Sequence, residues 1–323
     1  ITGFAGVDAA SSSQDFNALL ADGSKMLIMT IVGNLIVGGI IYAGVAGGIE
    51  RAVTVMMPLL FALLVGLSIY NMFAGGFGQT LSWLFTPDFS KIDGPVLLAA
   101  VGQAFFSIGV GMGGMMTYGS YLPANFSITR GAMMIVLADT MVALLAGFVV
   151  FPMVFNYGLD IAGGAGLIFQ TLPVAFAQMP GGHVFAVLFF VMLSVAGVTS
   201  MVGLLESVTS WIDQRTTLGR EISAIVVVGS VTFCSIASVL SYNVWQDATL
   251  FGMNFNAASE GLYDKITLPL GGLLIALFVG WFMKRELSFS ELATGEQVFS
   301  IWHLLLRFLV VPAIAIILIT GLI

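Results

Sequence analysis

Four polar residues lie deep inside long apolar stretches of the chain, where carboxylate and hydroxyl oxygens are rare: Ser107, Asp139, Thr199 and Ser200. Asp139 follows Arg130 by nine residues, so a helix would carry it about 13 Å from that end of its stretch. The same rise places Ser107 about 18 Å, and Thr199 with Ser200 about 20 Å, from the ends of theirs. In a membrane core of about 30 Å, all four would lie near the centre. Hard oxygen ligands gathered at one depth are typical of a sodium site.

The stretch around residue 199 offers a group of three oxygens. Ala196, Thr199 and Ser200 are spaced at i, i+3 and i+4, so the two hydroxyls and the Ala196 carbonyl point to one face of a helix. Alternatively, Ser and Thr in membrane helices bond back to a carbonyl of the preceding turn or join two helices. Both interpretations stay open for these residues.

Two acids in the apolar stretches also allow two interpretations. Asp139 could be a hydrogen-bonded carboxyl between packed helices, but the cost of placing a charge in a membrane favours a functional role. Glu206, six residues after Ser200, either supports the site or is a structural acid near the cytoplasmic exit.

A cluster of glycines interrupts the stretch that contains Ser107. Gly109, Gly111, Gly113 and Gly114 follow that serine closely, and each glycine costs a helix about 1 kcal/mol relative to alanine. The cluster predicts a break in the helix at mid-membrane. Irregular backbone at that depth is tolerated only where protein or a cavity satisfies its polar groups.

The composition identifies the medium that surrounds these residues. Of 323 residues, 59% are hydrophobic and 8% are charged, and the mean hydropathy is +1.05, which indicates an integral membrane protein in contact with the lipid bilayer. A formal charge of -7 without any basic run argues against a nucleic-acid partner. Cys234 has no cysteine partner, and His183 and His303 are too far apart for a helical zinc pair. An intramembrane enzyme would need a catalytic pair that Asp139 lacks, so no enzymatic activity is expected.

The apolar stretches predict eight membrane spans in an all-α polytopic fold. They are 26–46, 52–74, 96–121, 131–157, 184–210, 222–242, 262–283 and 298–321. Residues 160–182 are apolar but too short and too interrupted to cross, so they are expected to form a re-entrant or lid hairpin on the outer face.

The distribution of basic residues predicts the orientation of these spans. One set of alternate loops holds Arg51, Arg130, Arg215, Arg220, Lys284 and Arg285, and the other holds Lys25, Lys91 and Lys265. Basic residues are retained in the cytoplasm, so the first set is expected to be cytoplasmic, both termini outside, and the protein in the inner (plasma) membrane. Arg307 lies inside the last span and is left out of the count, because it could snorkel or pair.

Several motifs resemble the neurotransmitter:sodium symporter family, in particular its bacterial sodium-dependent amino-acid transporters. Residues 47–51 with 56–61 are similar to the family's fourth-to-fifth helix junction, and 83–89 to its third outer loop. Residues 101–107 with 111–113 and 117–121 are similar to the unwound sixth helix, and 196–200 with 204–206 to the eighth. The resemblance covers essentially residues 3–321.

The resemblance implies a partial inverted-repeat fold of the leucine transporter type, with substrate bound between broken helices. In its register the eight spans are helices four to eleven, and the first three helices are absent, so an N-terminally incomplete chain is expected. The whole chain, 1–323, would be one transporter domain. Residues 1–25 would be an outer loop, 26–74 the last two helices of the first repeat, 96–283 the second repeat, and 298–321 an additional helix.

The family's ligands can be carried over residue by residue. The resemblance implies that Ser107 and Asp139 bind the first sodium ion and that Ala196, Thr199 and Ser200 bind the second. It implies a substrate pocket formed by Phe106 as an aromatic lid, with Ser107, Gly109, Met112, Ser200 and Leu204, while Gln103 and Glu206 support the sites. The expected activity is sodium-coupled uptake of an amino acid.

Two departures from the family's pattern refine this expectation. Asp139 stands where the family has asparagine, and its fixed charge could replace the chloride ion that some members need, so chloride independence is predicted. Gly109 enlarges the pocket and Met112 is adaptable, which favours a bulky apolar or aromatic substrate.

Either Glu260 or Asp264 could serve as the outer-gate acid. An alternative function is a non-transporting helical fragment, a scaffold or a channel subunit.

Overall fold

The computed structural model describes residues 8–123, 126–159, 166–292 and 294–322. These residues form two compact units, one within 1–87 and 141–248 and the other within 88–140 and 249–323. The helices are α1 (Ala9–Ala21), α2 (Gly23–Tyr42), α3 (Arg51–Ala74), α4 (Phe77–Phe85), α5 (Gly94–Ile108), α6 (Gly114–Ser120), α7 (Ile128–Asn156), α8 (Leu172–Gln178), α9 (Gly182–Arg215), α10 (Gly219–Leu240), α11 (Phe255–Leu262), α12 (Leu268–Leu277), α13 (Arg285–Leu292), α14 (Glu296–Leu305) and α15 (Val311–Leu322).

Wider helical turns extend or join several of these helices. The π-helical turns are Val45–Glu50 before α3, Leu167–Thr171 before α8, Tyr263–Thr267 between α11 and α12, Phe278–Phe282 after α12, and Leu306–Val310 between α14 and α15. A 3₁₀ turn spans Phe89–Lys91, and the short strands β1 (Thr249–Leu250) and β2 (Met253–Asn254) pair antiparallel. The residues 255–282 and 296–322 therefore each form one continuous helix.

Within the first unit, α2, α9 and α10 pack side by side. Val37, Ile41, Val202 and Val227 are buried at this contact, and the Asn34 amide donates to the Thr232 hydroxyl (3.1 Å). Between membrane helices, close packing and interhelical hydrogen bonds replace the exclusion of water as the stabilising term. The polar pair therefore fixes the register of two otherwise apolar helices.

A second core of the same unit joins α3 to α7, α8 and α9. Its centre includes the buried side chains Leu64, Val149 and Phe176. Two polar residues of α3 donate into α7: the Ser68 hydroxyl to the Leu145 carbonyl (3.2 Å) and the Asn71 amide to the Val149 carbonyl (2.6 Å). These bonds position the second half of α7.

The second unit contains α5, α6, the first part of α7, and the two continuous helices 255–282 and 296–322. Here α12 packs on α15, and the Gly321 position lies against the Lys265 backbone. The Thr129 hydroxyl donates to the Leu292 carbonyl (3.0 Å) and ties α7 to the end of α13.

Seven helices in the described part of the chain are long and apolar enough to cross a membrane: 23–42, 45–74, 128–156, 182–215, 219–240, 255–282 and 296–322. Large apolar side chains on them are exposed, including Phe73 at 86% and Phe308 at 70%, as expected for lipid-facing surfaces. The chain is a multi-pass membrane protein. The remaining predicted span, 96–121, is divided into α5 and α6.

The ends of the elements differ from the prediction in three places. Part of the predicted outer loop 1–25 is the helix α1, which begins where the Asp8 carboxylate accepts from the Ser11 amide (2.8 Å). The segment between the predicted spans 184–210 and 222–242 shortens to residues 216–218, because α9 and α10 extend into it. Residues 167–178 of the predicted lid are helical, whereas 160–165 lie outside the described residues.

Candidate functional site

In the second unit, a break separates α5 from α6 at the predicted glycines. Gly109, Gly111 and Gly113 have φ angles of +74°, +94° and +81°, which L side chains rarely adopt. The amides of Val110 and Gly109 donate to the Phe105 and Phe106 carbonyls (3.0 and 3.1 Å) and close the end of α5. The glycine cluster therefore produces the unwound segment that the sequence predicts.

The unwound segment lies directly against the backbone of α12. A Cβ atom at Gly111 would stand 2.5 Å from the Leu268 carbonyl oxygen and 2.8 Å from the Gly272 nitrogen. In the same way, a Cβ atom at Gly271 would stand 2.4 Å from the Gly111 carbonyl oxygen. No L side chain fits at such distances, so glycine is required on both sides of this contact.

Ser107, on the last turn of α5, is joined to Asp139 on α7. The serine hydroxyl donates to the Asp139 carboxylate at 2.6 Å. Among the described residues no other group donates to this carboxylate. A serine that donates its proton keeps two lone pairs, and the carboxylate keeps more, so the pair presents several oxygens that can coordinate a cation.

The remaining predicted substrate residues of this unit surround the break. Phe106 is 50% exposed, and the Met112 sulfur lies 3.8 Å from the position that a Cβ atom at Gly109 would occupy. Gln103 is exposed and precedes Ser107 by four residues, so it lies on the same face of α5. The Met112 side chain therefore occupies space that a larger residue at position 109 would contact.

In the first unit, Ala196, Thr199 and Ser200 lie in the middle of α9. The Thr199 hydroxyl donates to the carbonyls of Ala196 (2.9 Å) and Val195 (3.1 Å), as expected for a threonine that bonds back to its own helix. Its lone pairs stay available, so this bonding is compatible with a cation ligand. Ser200 is exposed, and Leu204, one turn later, is 46% exposed.

Glu206, six residues after Ser200 on α9, forms a buried ion pair with Arg220 of α10. The two guanidinium nitrogens donate to the two carboxylate oxygens at 2.9 and 2.6 Å, and Glu206 is fully buried. Arg220 also donates to the Ile41 carbonyl at the end of α2 (3.2 Å). This geometry favours the structural interpretation of Glu206. Arg220, which was predicted to lie in a loop, is in the first turn of α10.

Residues 167–178, part of the segment predicted as a lid, are attached to α1. The Ser12 hydroxyl donates to the Gln170 carbonyl (2.7 Å), and the Phe16 ring stacks on Phe169 with centroids 5.7 Å apart. The Gln170 carbonyl belongs to the π-helical turn 167–171, so α1 is bonded to this turn.

Sequence reasoning missed several of these partners. Asn71 joins α3 to α7 and Arg220 joins α10 to the end of α2, and only the polarity of these residues within or beside apolar stretches could have indicated a role. Glu260 and Asp264 are both exposed on the helix 255–282, and neither forms an ion pair with a described residue. The choice between them as an outer-gate acid stays open.

Comparison with known proteins shows that the relatives of this chain are transporters. A family model described as the sodium:neurotransmitter symporter family matches residues 16–323. An uncharacterized sodium-dependent transporter of Haemophilus influenzae is 32% identical over 89% of this chain and 64% of its own length. The YhdH transporter of Bacillus subtilis, also uncharacterized, is 32% identical over 95% of this chain and 70% of its own.

A solved structure shares the fold. The crystal structure of MhsT in complex with L-phenylalanine matches with a TM-score of 0.86 and 34% identity, over 96% of this chain and 71% of that one. This chain therefore spans about two thirds of the length of these relatives.

Proposed function

The chain belongs to the sodium:neurotransmitter symporter family, and from that premise we propose that it carries out sodium-coupled uptake of a bulky apolar or aromatic amino acid without a need for chloride. The family and its relatives are transporters and not enzymes. The proposal concerns the substrate, the ions and the residues that bind them.

The observation that carries the proposal is the bond between Ser107 and Asp139 beside the break in α5–α6. A carboxylate in a membrane helix costs several kcal/mol unless it is compensated. The hydrogen bond from the Ser107 hydroxyl offsets only part of this cost, and a bound Na⁺ would offset the rest. These two residues are proposed as ligands of the first sodium ion, with Gln103 in support.

The second proposed sodium ion binds to α9 in the first unit. Its ligands would be the Ala196 carbonyl and the hydroxyls of Thr199 and Ser200. The back-bonded Thr199 supports this assignment, because its hydrogen points to the helix and leaves its lone pairs for an ion. Glu206 has an ion-pair partner and is proposed to stabilise α9 near this site without binding the ion.

The proposed substrate class follows from the side chains beside the break between α5 and α6 and from those on α9. In the second unit Phe106, Gly109 and Met112 offer an aromatic ring, a position without a side chain and a flexible thioether. Leu204 and Ser200 are the substrate residues proposed in the first unit. The L-phenylalanine in the MhsT complex is a ligand of this class.

Chloride independence is proposed because Asp139 supplies a fixed negative charge next to the first sodium ion.

We also propose that the protein lies in the inner (plasma) membrane, with the loops near Arg51, Arg130, Arg215, Arg220 and Lys284 on the cytoplasmic side.

The test is uptake by the protein expressed from its complete gene and reconstituted into liposomes. Radiolabelled tryptophan, tyrosine and leucine are compared with glycine and alanine, under a sodium or a potassium gradient, with chloride or gluconate. The expected result is sodium-driven uptake of the large amino acids that is the same in both anions. Uptake of glycine or alanine alone would contradict the proposed substrate class.

The matched variants are Asp139→Asn and Ser107→Ala. We expect Asp139→Asn to lose uptake in gluconate and to recover part of it in chloride, because the anion replaces the missing charge. Ser107→Ala should weaken binding of radioactive sodium without creating a response to chloride. If Asp139→Asn behaves as the wild type in both anions, the assignment of Asp139 to the first sodium site is wrong. Absence of any sodium-dependent uptake or binding would instead favour a non-transporting helical protein.

A further inference from the structure

Arg307 is a positive charge inside the last membrane-spanning helix. It lies in the π-helical turn Leu306–Val310, between α14 and α15, and its side chain is only partly exposed. A charged residue in a membrane helix is expensive and normally has a partner of opposite charge or marks a functional site.

The protein satisfies only part of this guanidinium group. Its Nε atom donates to the Gly280 carbonyl, and its central carbon lies 5.3 Å from the centre of the Trp281 ring. Among the described residues, neither terminal nitrogen of Arg307 donates a hydrogen bond, and no carboxylate lies within 4.0 Å. Up to four N–H groups are therefore available to an anion from outside the protein.

Arg307 lies level with the end of the neighbouring helix 255–282. Its partner Gly280 is two residues from Phe282, the end of that helix, so the guanidinium lies about 3 Å along the axis from the helix end. Trp281 is 45% exposed at the same level. Tryptophan at a helix end is typical of the membrane–water interface.

Two further cations follow the same helix end. Lys284 is exposed, and Arg285 donates to the Ser300 hydroxyl (3.0 Å) and lies 5.5 Å from the Phe299 ring centre. Although Glu286 is adjacent in the chain, neither cation forms an ion pair within the described residues. Phe299 and Arg307 are eight residues apart on the same helix, about 12 Å along the axis.

We propose that Arg307 binds the phosphate of an anionic phospholipid in the leaflet at the Lys284 end. The terminal nitrogens of the guanidinium hold two phosphate oxygens. Lys284 and Arg285 attract the headgroup, and the acyl chains lie along exposed apolar side chains of the same helix, such as Leu304 and Phe308. Basic pockets between membrane helices are suited to such headgroups.

The test measures lipid selectivity directly. The purified wild type is mixed with equal amounts of phosphatidylglycerol and phosphatidylcholine, and the lipids that stay bound are counted by native mass spectrometry. In parallel, unfolding midpoints are compared in nanodiscs of phosphatidylcholine with and without phosphatidylglycerol. We expect about a tenfold preference for phosphatidylglycerol, the size typical of a charge-assisted hydrogen-bonded pair, and a higher midpoint in the anionic nanodiscs.

Matched variants separate lipid binding from the bond to Gly280. Arg307→Gln should lose most of the preference and of the lipid-dependent shift, while Arg130→Gln, which removes an exposed cation at the start of α7, should keep both. A lower midpoint of Arg307→Gln in both lipids measures the lost bond to Gly280, and the difference between lipids still tests the proposal. If that variant does not fold, Arg307→Lys retains the charge without the planar fork and should reduce the preference several-fold.

Equal binding of the two lipids by the wild type would overturn the proposal, as would an unchanged preference in both Arg307 variants. Inorganic phosphate added to phosphatidylcholine nanodiscs distinguishes the source of the anion. If phosphate alone raises the midpoint as much as phosphatidylglycerol does, the ligand is a dissolved anion and the lipid assignment is wrong.

Discussion

Substitution of Gly111 by alanine separates backbone strain from backbone contact at the break between α5 and α6. Gly111 and Gly113 both have positive φ angles, +94° and +81°. Their surroundings differ, because a Cβ atom at Gly111 would meet the Leu268 oxygen at 2.5 Å, whereas one at Gly113 would meet nothing within 4 Å. Gly113→Ala is thus a control with similar strain and no collision.

The expected magnitudes follow from these two terms. A left-handed conformation costs an L residue about 1–2 kcal/mol, and this applies to both variants. Overpacking adds about 1–3 kcal/mol at Gly111 only. The atoms that would have to move are the backbone of Leu268 and Gly272, which cannot change rotamer as a side chain can. We therefore expect a loss of about 2–5 kcal/mol for Gly111→Ala and about 1–2 kcal/mol for Gly113→Ala.

The assay is the unfolding midpoint of each purified variant in one detergent, followed by intrinsic tryptophan fluorescence. Because membrane proteins often unfold irreversibly, scan rates must be identical and only differences are interpreted. Gly271→Ala places its Cβ atom 2.4 Å from the Gly111 oxygen on the opposite side of the same contact. Gly271 has no positive φ angle, so this variant should show the overpacking cost of about 1–3 kcal/mol without the left-handed cost. Equal midpoints for Gly111→Ala and Gly113→Ala would refute the reasoning, because the close contact would then contribute nothing.

Three further predictions concern polar contacts of the first unit and the loop after α4. Removing one partner of the buried pair, as in Glu206→Gln, should cost about 3–5 kcal/mol, and adding Arg220→Met should restore part of it in a double-mutant cycle of unfolding midpoints. Asn71→Leu should destabilise by about 1–3 kcal/mol in the same assay, because it removes the amide that donates into α7. Hydrogen bonds from Ser90 hold the pKa of Asp88 below its usual value, so this contact contributes stability above the unfolded pKa and loses it as the pH falls through the lowered pKa. Ser90→Ala should move the Asp88 pKa upward in an NMR titration, and an unchanged pKa would contradict the assigned cause.

The apolar spans and the helix break were predictable because their causes are local. A membrane imposes a minimum length of apolar helix, and that length is visible in any stretch such as 131–157. Glycines at 109, 111 and 113 disfavour a helix regardless of what surrounds them. Both features depend on the residues of one segment alone, so the sequence contains the information that determines them.

The ends of the helices were less predictable because they depend on partners elsewhere in the chain. Charges between 213 and 221 indicate a loop when taken alone, yet α10 begins at Gly219. Arg220 can enter the helix because Glu206 and the Ile41 carbonyl are present to receive its guanidinium. Helix α1 was missed because a short helix in an outer loop is stabilised by its contact with Gln170 and Phe169.

The candidate site combines both kinds of information. Depth along a helix can be calculated from the rise per residue, and it placed Ser107 and Asp139 at one level. Two residues at the same depth can contact each other only if their side chains also face each other. Depth alone therefore does not determine which residues meet. The 2.6 Å bond depends on the rotation of α5 and α7 about their own axes, and that rotation is set by packing of the apolar residues around them. Thr199 illustrates the converse, since its back-bond to Ala196 follows from helix geometry alone and is expected with or without an ion. The Ser107–Asp139 contact is therefore the stronger structural argument for an ion site, and the chloride response of Asp139→Asn is its most direct test.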